Sequence, residues 1–378
     1  MKKVLFVIDT IDVGGATKLT FDVITNLDKN IFDYRIFYLN NPKFKESNLL
    51  DYYNLSDKST YLGDGIFRFF KRLYYIYKYS KEYRTVHSCM EQSNLYCTFI
   101  KFFFNRKMNL IITYHGLDRY FIEKRIKFSI TNIINKFLYT TFQNWLFKKT
   151  DKFIAVCFAI KEYLISKRSI NGNNIEVVYH GLDLNYASEL LKFSDKTKMV
   201  KDNYVIGYAG RLASQKGLEK LVEILPKLIS KNPEVILVLK GDGELKSTLI
   251  KRIHELDIQD YVIFEKFEKN VYSFYKKLNL FILPSSFETT NLTVLESMYC
   301  KTLVLCTDVG GLPEIVENNY NGFLFSSYNF DEILKRIEYI KSLDTGILES
   351  IKENAFQTVI NRFNLKSNVK NIQKILSE

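Results

Sequence analysis

Cysteine is scarce and unpatterned in this chain: Cys89, Cys97, Cys157, Cys300 and Cys306 make an odd total with no C-x-x-C pair. That excludes a disulfide scaffold and a thiolate metal site, and it fits a reducing compartment. Long apolar runs are missing too. The longest stretches without a charged side chain are Asn318 to Phe330 and Phe137 to Phe147, both short of the roughly 18 apolar residues that a membrane-spanning helix needs. The opening MKKVLFVIDT has only five apolar residues in a row before Asp9. This is too few for a secretion signal and reads as a buried first strand. There is no tandem repeat, no low-complexity block and no G-x-G-x-x-G dinucleotide fingerprint. No Asp-x-Asp pair occurs, Asp242-Gly243-Glu244 being the nearest imitation, so no metal is expected.

What is present describes an ordinary globular chain of 378 residues, 47% apolar and 25% charged, long enough for two domains. The formal charge is +12, and it is concentrated. Residues 61–150 hold 16 Lys and Arg against 5 Asp and Glu, together with 23 of the 57 aromatic residues. Cations among rings suit an anionic partner with an apolar part. A bilayer surface is the first candidate and single-stranded nucleic acid the second. The plain alternative is that the rings pack a core while the lysines solvate it.

Apolar runs at 4–8, 34–39, 109–114, 152–157 and 175–179 alternate with segments of helical character. A second series follows at 204–210, 235–241, 262–265, 280–284, 302–306 and 323–325, with helices expected at 217–231 and 292–299. Such alternation marks βαβ units and a parallel sheet covered on both faces. Two α/β units are therefore expected, divided by a Lys-, Asp- and Ser-rich linker at 186–203. The tail from Asp331 is helical in pattern.

Open α/β sheets bind ligands beyond the carboxyl ends of their strands, so a site is expected in the loops there. Gly14 and Gly15 follow the first strand and open a helix, where backbone approaches an anion closely; two such glycines are also a common tight turn. Arg211 and Lys216 follow the strand at 204–210. A fork and a point charge there suit a diphosphate, as they also suit plain solvation. LKGDGE at 239–244 ends a strand in a turn. After the strand ending at Pro284, Glu288 lies in a loop and Glu296 on the early helix. Between them, the amides of Thr290, Asn291 and Leu292 mark a helix N-terminus, where a phosphate belongs. A carboxylate accepts from paired hydroxyls, so ribose, phosphate and hexose could each find a partner here; a lone glutamate pair on a surface is the bland alternative.

These segments, taken in order with HGLD at 180–183 and TDVGGLPEIV at 307–316, resemble a family-4 retaining glycosyltransferase of the GT-B fold. The resemblance covers most of the chain. It implies two Rossmann-like domains facing a cleft: an acceptor-side domain at 1–185, the linker, a nucleotide-sugar domain at 204–355, and a helix at 356–378 returning to the first domain. It further implies that Arg211 and Lys216 contact the donor diphosphate, that Glu296 meets the ribose, that Glu288 and His115 lie near the transferred sugar, and that Gly14 and Gly15 close over the phosphate. Two departures stand out: Thr289-Thr290-Asn291 replaces a frequent Gly-Phe-Gly, and His180 replaces a frequent Asn.

The expected activity is transfer of a hexose or N-acetylhexosamine from a nucleotide diphosphate sugar, UDP first, to a lipid-linked or cell-surface glycan. The enzyme is expected to be cytoplasmic and peripheral at the inner face of the cell membrane, docked through 61–150, with no cofactor. Rivals are a sugar-nucleotide epimerase and a non-catalytic partner subunit. A nucleic-acid module would leave residues 204–325 unexplained, so no nucleic-acid partner is expected.

Overall fold

The apolar runs do form parallel strands. The computed structural model describes residues 1–12, 15–41, 48–63, 67–116, 141–192, 203–266, 268, 270–326 and 329–378. They fall into two units, Met1–His180 with Lys366–Glu378, and Gly181–Leu365. In the first unit the strands are β1 (Lys2–Thr10), β2 (Phe32–Asn40), β3 (Ser59–Tyr61), β4 (Thr85–Ser88), β5 (Asn109–Tyr114), β6 (Lys152–Ala155) and β7 (Ile175–Val177). They form one parallel sheet in the order β3-β2-β1-β4-β5-β6-β7. The second unit has β8 (Tyr204–Ala209), β9 (Val235–Lys240), β10 (Val262–Glu265), β11 (Leu280–Leu283), β12 (Leu303–Thr307) and β13 (Phe323–Phe325). Their order is β10-β9-β8-β11-β12-β13, again all parallel.

Covered on both faces, the strands at the heart of the second sheet are mostly apolar, and every residue of β9, β11 and β12 is buried. Strand order reverses at β1/β4 in one unit and at β8/β11 in the other. Such a switch point leaves a crevice beyond the strand ends, because the connecting helices depart to opposite faces.

Two strands escaped the sequence pattern. β3 has three residues, none fully buried. β4 reads Thr-Val-His-Ser and still lies at the centre of its sheet, between β1 and β5. Its polar side chains are tolerated because they bond inside: His87 Nε2 lies 2.7 Å from Thr113 Oγ1, and the Ser88 hydroxyl donates to Asn94 Oδ1.

The boundaries also differ from expectation. Residues expected to begin the linker at 186 belong to a helix, Leu184–Lys192, inside the second unit. Its Ala187 is buried, and Asn270 Nδ2 donates to Leu190 O at 3.2 Å. Residues 193–202 of the expected linker lie outside the described residues. At the other end, the helix Thr345–Arg362 runs through residue 356 without a break, holding Ile351, Ala355 and Val359 buried in the second unit. The segment grouped with the first unit starts only at Lys366, within the helix Leu365–Ser377.

Candidate functional site

In the second unit, the loops leaving β8, β9, β11 and β12 are tied to one another by backbone hydrogen bonds. Leu212 N donates to Asp242 O at 2.8 Å, and Leu245 N returns to Leu212 O at 3.0 Å. Ser286 N donates to Gln215 O at 2.8 Å, and Gly311 N to Glu288 O at 3.0 Å. The Gly-Asp-Gly turn thus braces the Arg211 loop, and the Gly-Gly at 310–311 braces the Glu288 loop. Glycine is required at two of these joints. Gly217 has φ +69° and a Cβ there would stand 2.0 Å from Pro284 O; Gly310 has φ +55° and its Cβ would stand 1.9 Å from Glu288 O.

This framework brings the predicted side chains to one end of the sheet. Lys216 Nζ bonds Glu288 Oε1 at 2.5 Å, with the two side chains only 14% and 11% exposed. The hydroxyl of Ser285, wholly buried, donates to the same oxygen at 2.7 Å. Ser285 is held in turn, its carbonyl accepting from Thr307 Oγ1 at 2.7 Å. Arg211 is exposed beyond β8, and its carbonyl accepts from Tyr208 OH at 2.9 Å. Burial pushes the Tyr208 phenol up, with Glu288 adding to the rise and Arg211 opposing it, so both charges act at this one ring.

The helix Leu292–Tyr299 starts where the sequence places it. Asn291 caps it: Oδ1 accepts from Val294 N at 3.1 Å and from Thr293 Oγ1 at 2.7 Å. Thr290 and Asn291 are both buried. The side-chain oxygen of Asn291 is therefore committed to the helix. Glu296, on the first turns of the same helix, accepts from Tyr275 OH at 2.9 Å through Oε2. Burial pushes the Tyr275 phenol well up, and Glu296 adds to it, so the tyrosine stays a donor. Ser285, Thr307 and Tyr275 were not found from sequence. Ser285 had one usable signal, its place directly after the strand-ending Pro284.

In the first unit, His115 follows β5 and joins His180: the Nε2 of His180 lies 3.1 Å from the Nδ1 of His115. Burial holds His115 down to about 4 and His180 well below its ordinary value. Gly15 opens the helix Gly15–Thr25 after β1, with open space where a side chain would start. Gly14 lies outside the described residues.

The basic window divides between surface and interior. On the helix Arg68–Ser80, Phe69, Phe70 and Tyr74 are exposed beside Arg68, Lys71 and Lys78, and Phe67 just before it is 76% exposed. Phe103, Phe104, Phe142 and Trp145 are exposed too. Ring contacts run from Tyr77 to Phe104, Phe99, Phe103 and Trp145, so these five aromatics form one strip. Arg72, one of the cations of the window, is buried: its guanidinium donates to the carbonyl of Leu39 at the end of β2. Tyr75 and Tyr77 are half-buried. Residues 117–140 of the window lie outside the described residues. No helix among the described residues is long and apolar enough to cross a membrane, and no cluster of metal-ligating side chains occurs among them.

Two Rossmann-like units with parallel sheets of seven and six strands define the GT-B class of fold. Residues 13–186 match the family model described as Glycosyltransferase Family 4, and residues 191–358 match that of glycosyl transferases group 1; the chain belongs to this glycosyltransferase family. It is 27% identical over 225 residues to the capsular polysaccharide biosynthesis glycosyltransferase CapM of Staphylococcus aureus, covering 58% of this chain and 59% of CapM. It is 24% identical to an Escherichia coli UDP-Gal:alpha-D-GlcNAc-diphosphoundecaprenol alpha-1,3-galactosyltransferase, covering 64% of this chain and 62% of that enzyme. The matched stretch thus spans about 60% of the length of these curated relatives. The fold is shared with HepE of Anabaena, solved in complex with UDP: TM-score 0.82, 21% identity, and full coverage of both chains.

Proposed function

We propose that this chain is a retaining glycosyltransferase that moves a hexose or N-acetylhexosamine from a UDP-sugar to a lipid-linked or cell-surface glycan. One observation carries this reading: Arg211 and Lys216 from the stretch after β8, and Glu288 and the Glu296 helix from the stretch after β11, lie at the carboxyl ends of these two strands, flanking the switch point, with Lys216 bonded to Glu288. Arg211 and Lys216 would hold the diphosphate as negative charge develops on it, with the amides of the Leu292–Tyr299 helix facing the same group. Glu296 would bind the ribose hydroxyls. Glu288 would hold the transferred sugar once Lys216 turns to the phosphate. No side chain is assigned as a covalent nucleophile; with retention, the acceptor arrives on the face the diphosphate leaves.

UDP is favoured by the printed donor of the Escherichia coli relative and by the ligand of HepE. A lipid-linked acceptor is favoured by the same relative and by a Campylobacter jejuni relative named for a diphospho-undecaprenol acceptor. The exposed aromatic and basic strip of the first unit would dock the enzyme on the inner face of the cell membrane, where such acceptors lie.

The test is to incubate the protein with a panel of nucleotide sugars, with and without a polyprenyl-diphosphate-linked sugar, and to follow nucleotide release and product anomericity. Acceptor-dependent UDP release with an α-linked product is expected. Conversion of the donor without acceptor would establish the epimerase instead, and no turnover with any donor would favour the partner subunit.

A further inference from the structure

His115 and His180, 65 residues apart in sequence, meet ring to ring, their planes parallel within 1°. Burial keeps both neutral at physiological pH. A neutral imidazole carries one proton, so one nitrogen donates and the other accepts. The nitrogen facing away from His180, Nε2 of His115, is buried and has no hydrogen-bond partner among the described residues. A buried orphan of this kind is a place for a ligand atom. Whether it donates or accepts is decided by the bond at the other nitrogen.

Two arrangements satisfy the 3.1 Å contact. In one, each ring carries its proton on Nε2: His180 Nε2–H donates to the bare Nδ1 of His115, and His115 is left with an Nε2–H donor. In the other, each ring carries its proton on Nδ1, and His115 is left with a bare acceptor. A neutral histidine side chain intrinsically favours the Nε2–H form. The first arrangement uses the favoured form of both rings, and the second uses the disfavoured form of both. His87 bonds neither ring among the described residues: its Nε2 is engaged with Thr113 and its Nδ1 has no partner there.

We propose that His180 is a positioning residue, which locks His115 as the Nε2–H tautomer so that His115 offers an uncharged hydrogen-bond donor to a sugar oxygen. The sugar contact rests on the transferase reading above; the tautomer lock does not.

The experiment uses the whole protein labelled with ¹⁵N-histidine. The chain has only 4 histidines, so the spectrum of His115→Asn assigns the His115 nitrogens. Long-range proton–nitrogen correlations of the free protein are expected to show His115 protonated on Nε2. In His180→Phe, which keeps a ring and removes the donor, the His115 signals should move toward a mixture of tautomers, and kcat should fall roughly 10- to 100-fold, the usual scale for losing an orienting partner. His180→Asn, which restores an N–H, should recover both the tautomer and turnover relative to His180→Phe. Protonation of wild-type His115 on Nδ1, or an unchanged His115 tautomer in His180→Phe, overturns the proposal. Should His180→Phe not fold, the wild-type spectrum alone decides. A wild-type protein that transfers no sugar defeats the transferase reading, while the spectra still decide the lock.

Discussion

Lys216 and Glu288 neutralise one another: their 2.5 Å ion pair, almost closed to solvent, joins the group assigned to the diphosphate to the group assigned to the sugar. A diphosphate arriving at this site has to compete with the carboxylate for the ammonium. Glu288 keeps the Ser285 hydroxyl when it lets go of Lys216.

Glu288→Gln therefore has opposite effects on binding and turnover. Removing the competing negative charge should tighten UDP several-fold by titration calorimetry. Transfer should fall roughly 10²-fold, the scale of losing one transition-state stabiliser. Weaker UDP binding in this variant would contradict the competition.

Lys216→Ala and Arg211→Ala should each cut transfer by roughly 10²-fold. They differ in stability. Lys216→Ala strands a mostly buried carboxylate and should cost about 2 kcal/mol or more, whereas exposed Arg211 should melt like the wild type. Equal melting of the two variants would remove the buried pair as a stabilising contact.

For Glu296→Ala the expectation is a higher donor KM at nearly unchanged kcat, because a ribose contact serves ground and transition states alike. Tyr275→Phe, which deletes the 2.9 Å bond to Glu296, should do the same more mildly. A loss confined to kcat would place Glu296 elsewhere in the reaction.

Turnover should be unaffected by chelators. Two cations and a helix N-terminus already meet the phosphate charge, and the chain has no Asp-x-Asp pair to hold a divalent ion beside it. Activity lost to chelation and restored by magnesium or manganese would refute this.

The protein should co-sediment with anionic vesicles and release as salt rises, since the Debye length is about 8 Å at physiological ionic strength and shortens further. Changing Lys71, Lys78 and Lys81 together to Glu should abolish binding while leaving the fold intact, because all three are exposed. Equal binding to neutral vesicles, or none to either kind, would return the strip to plain surface.

Stability should fall with acid before most carboxylates titrate. His87 and His115 are pushed down to about 3 and about 4 by burial, while in the unfolded chain they take up protons near 6.5. Between pH 6.5 and about 4 the unfolded state binds more protons, so the contribution is whole above that window and is lost as pH falls through it. Thermal melts from pH 7.5 to 4.5 should show the decline, and His87→Gln should flatten it. A melting temperature that holds steady across the window would show the rings to be hydrated.

The local pattern of the sequence was enough for much of this. Runs such as VILVLK and LFIL declare buried parallel strands because both faces must be apolar, and Asn291 announces the helix at Leu292 because a capping side chain acts within three residues. The order of the loop motifs placed Arg211, Lys216, Glu288 and Glu296 at strand ends without any coordinates. Pattern cannot report what lies across the sheet. The strand Thr85–Ser88 was hidden because its burial is made tolerable by Thr113 and Asn94, on other elements. Arg72 looked like its exposed neighbours Arg68 and Lys71 until the end of β2 supplied a carbonyl to hold it. The closure of Lys216 on Glu288 and of His115 on His180 was likewise left to the tertiary structure, since contacts over 72 and 65 residues depend on strand order and loop bracing, and no short window of sequence contains either.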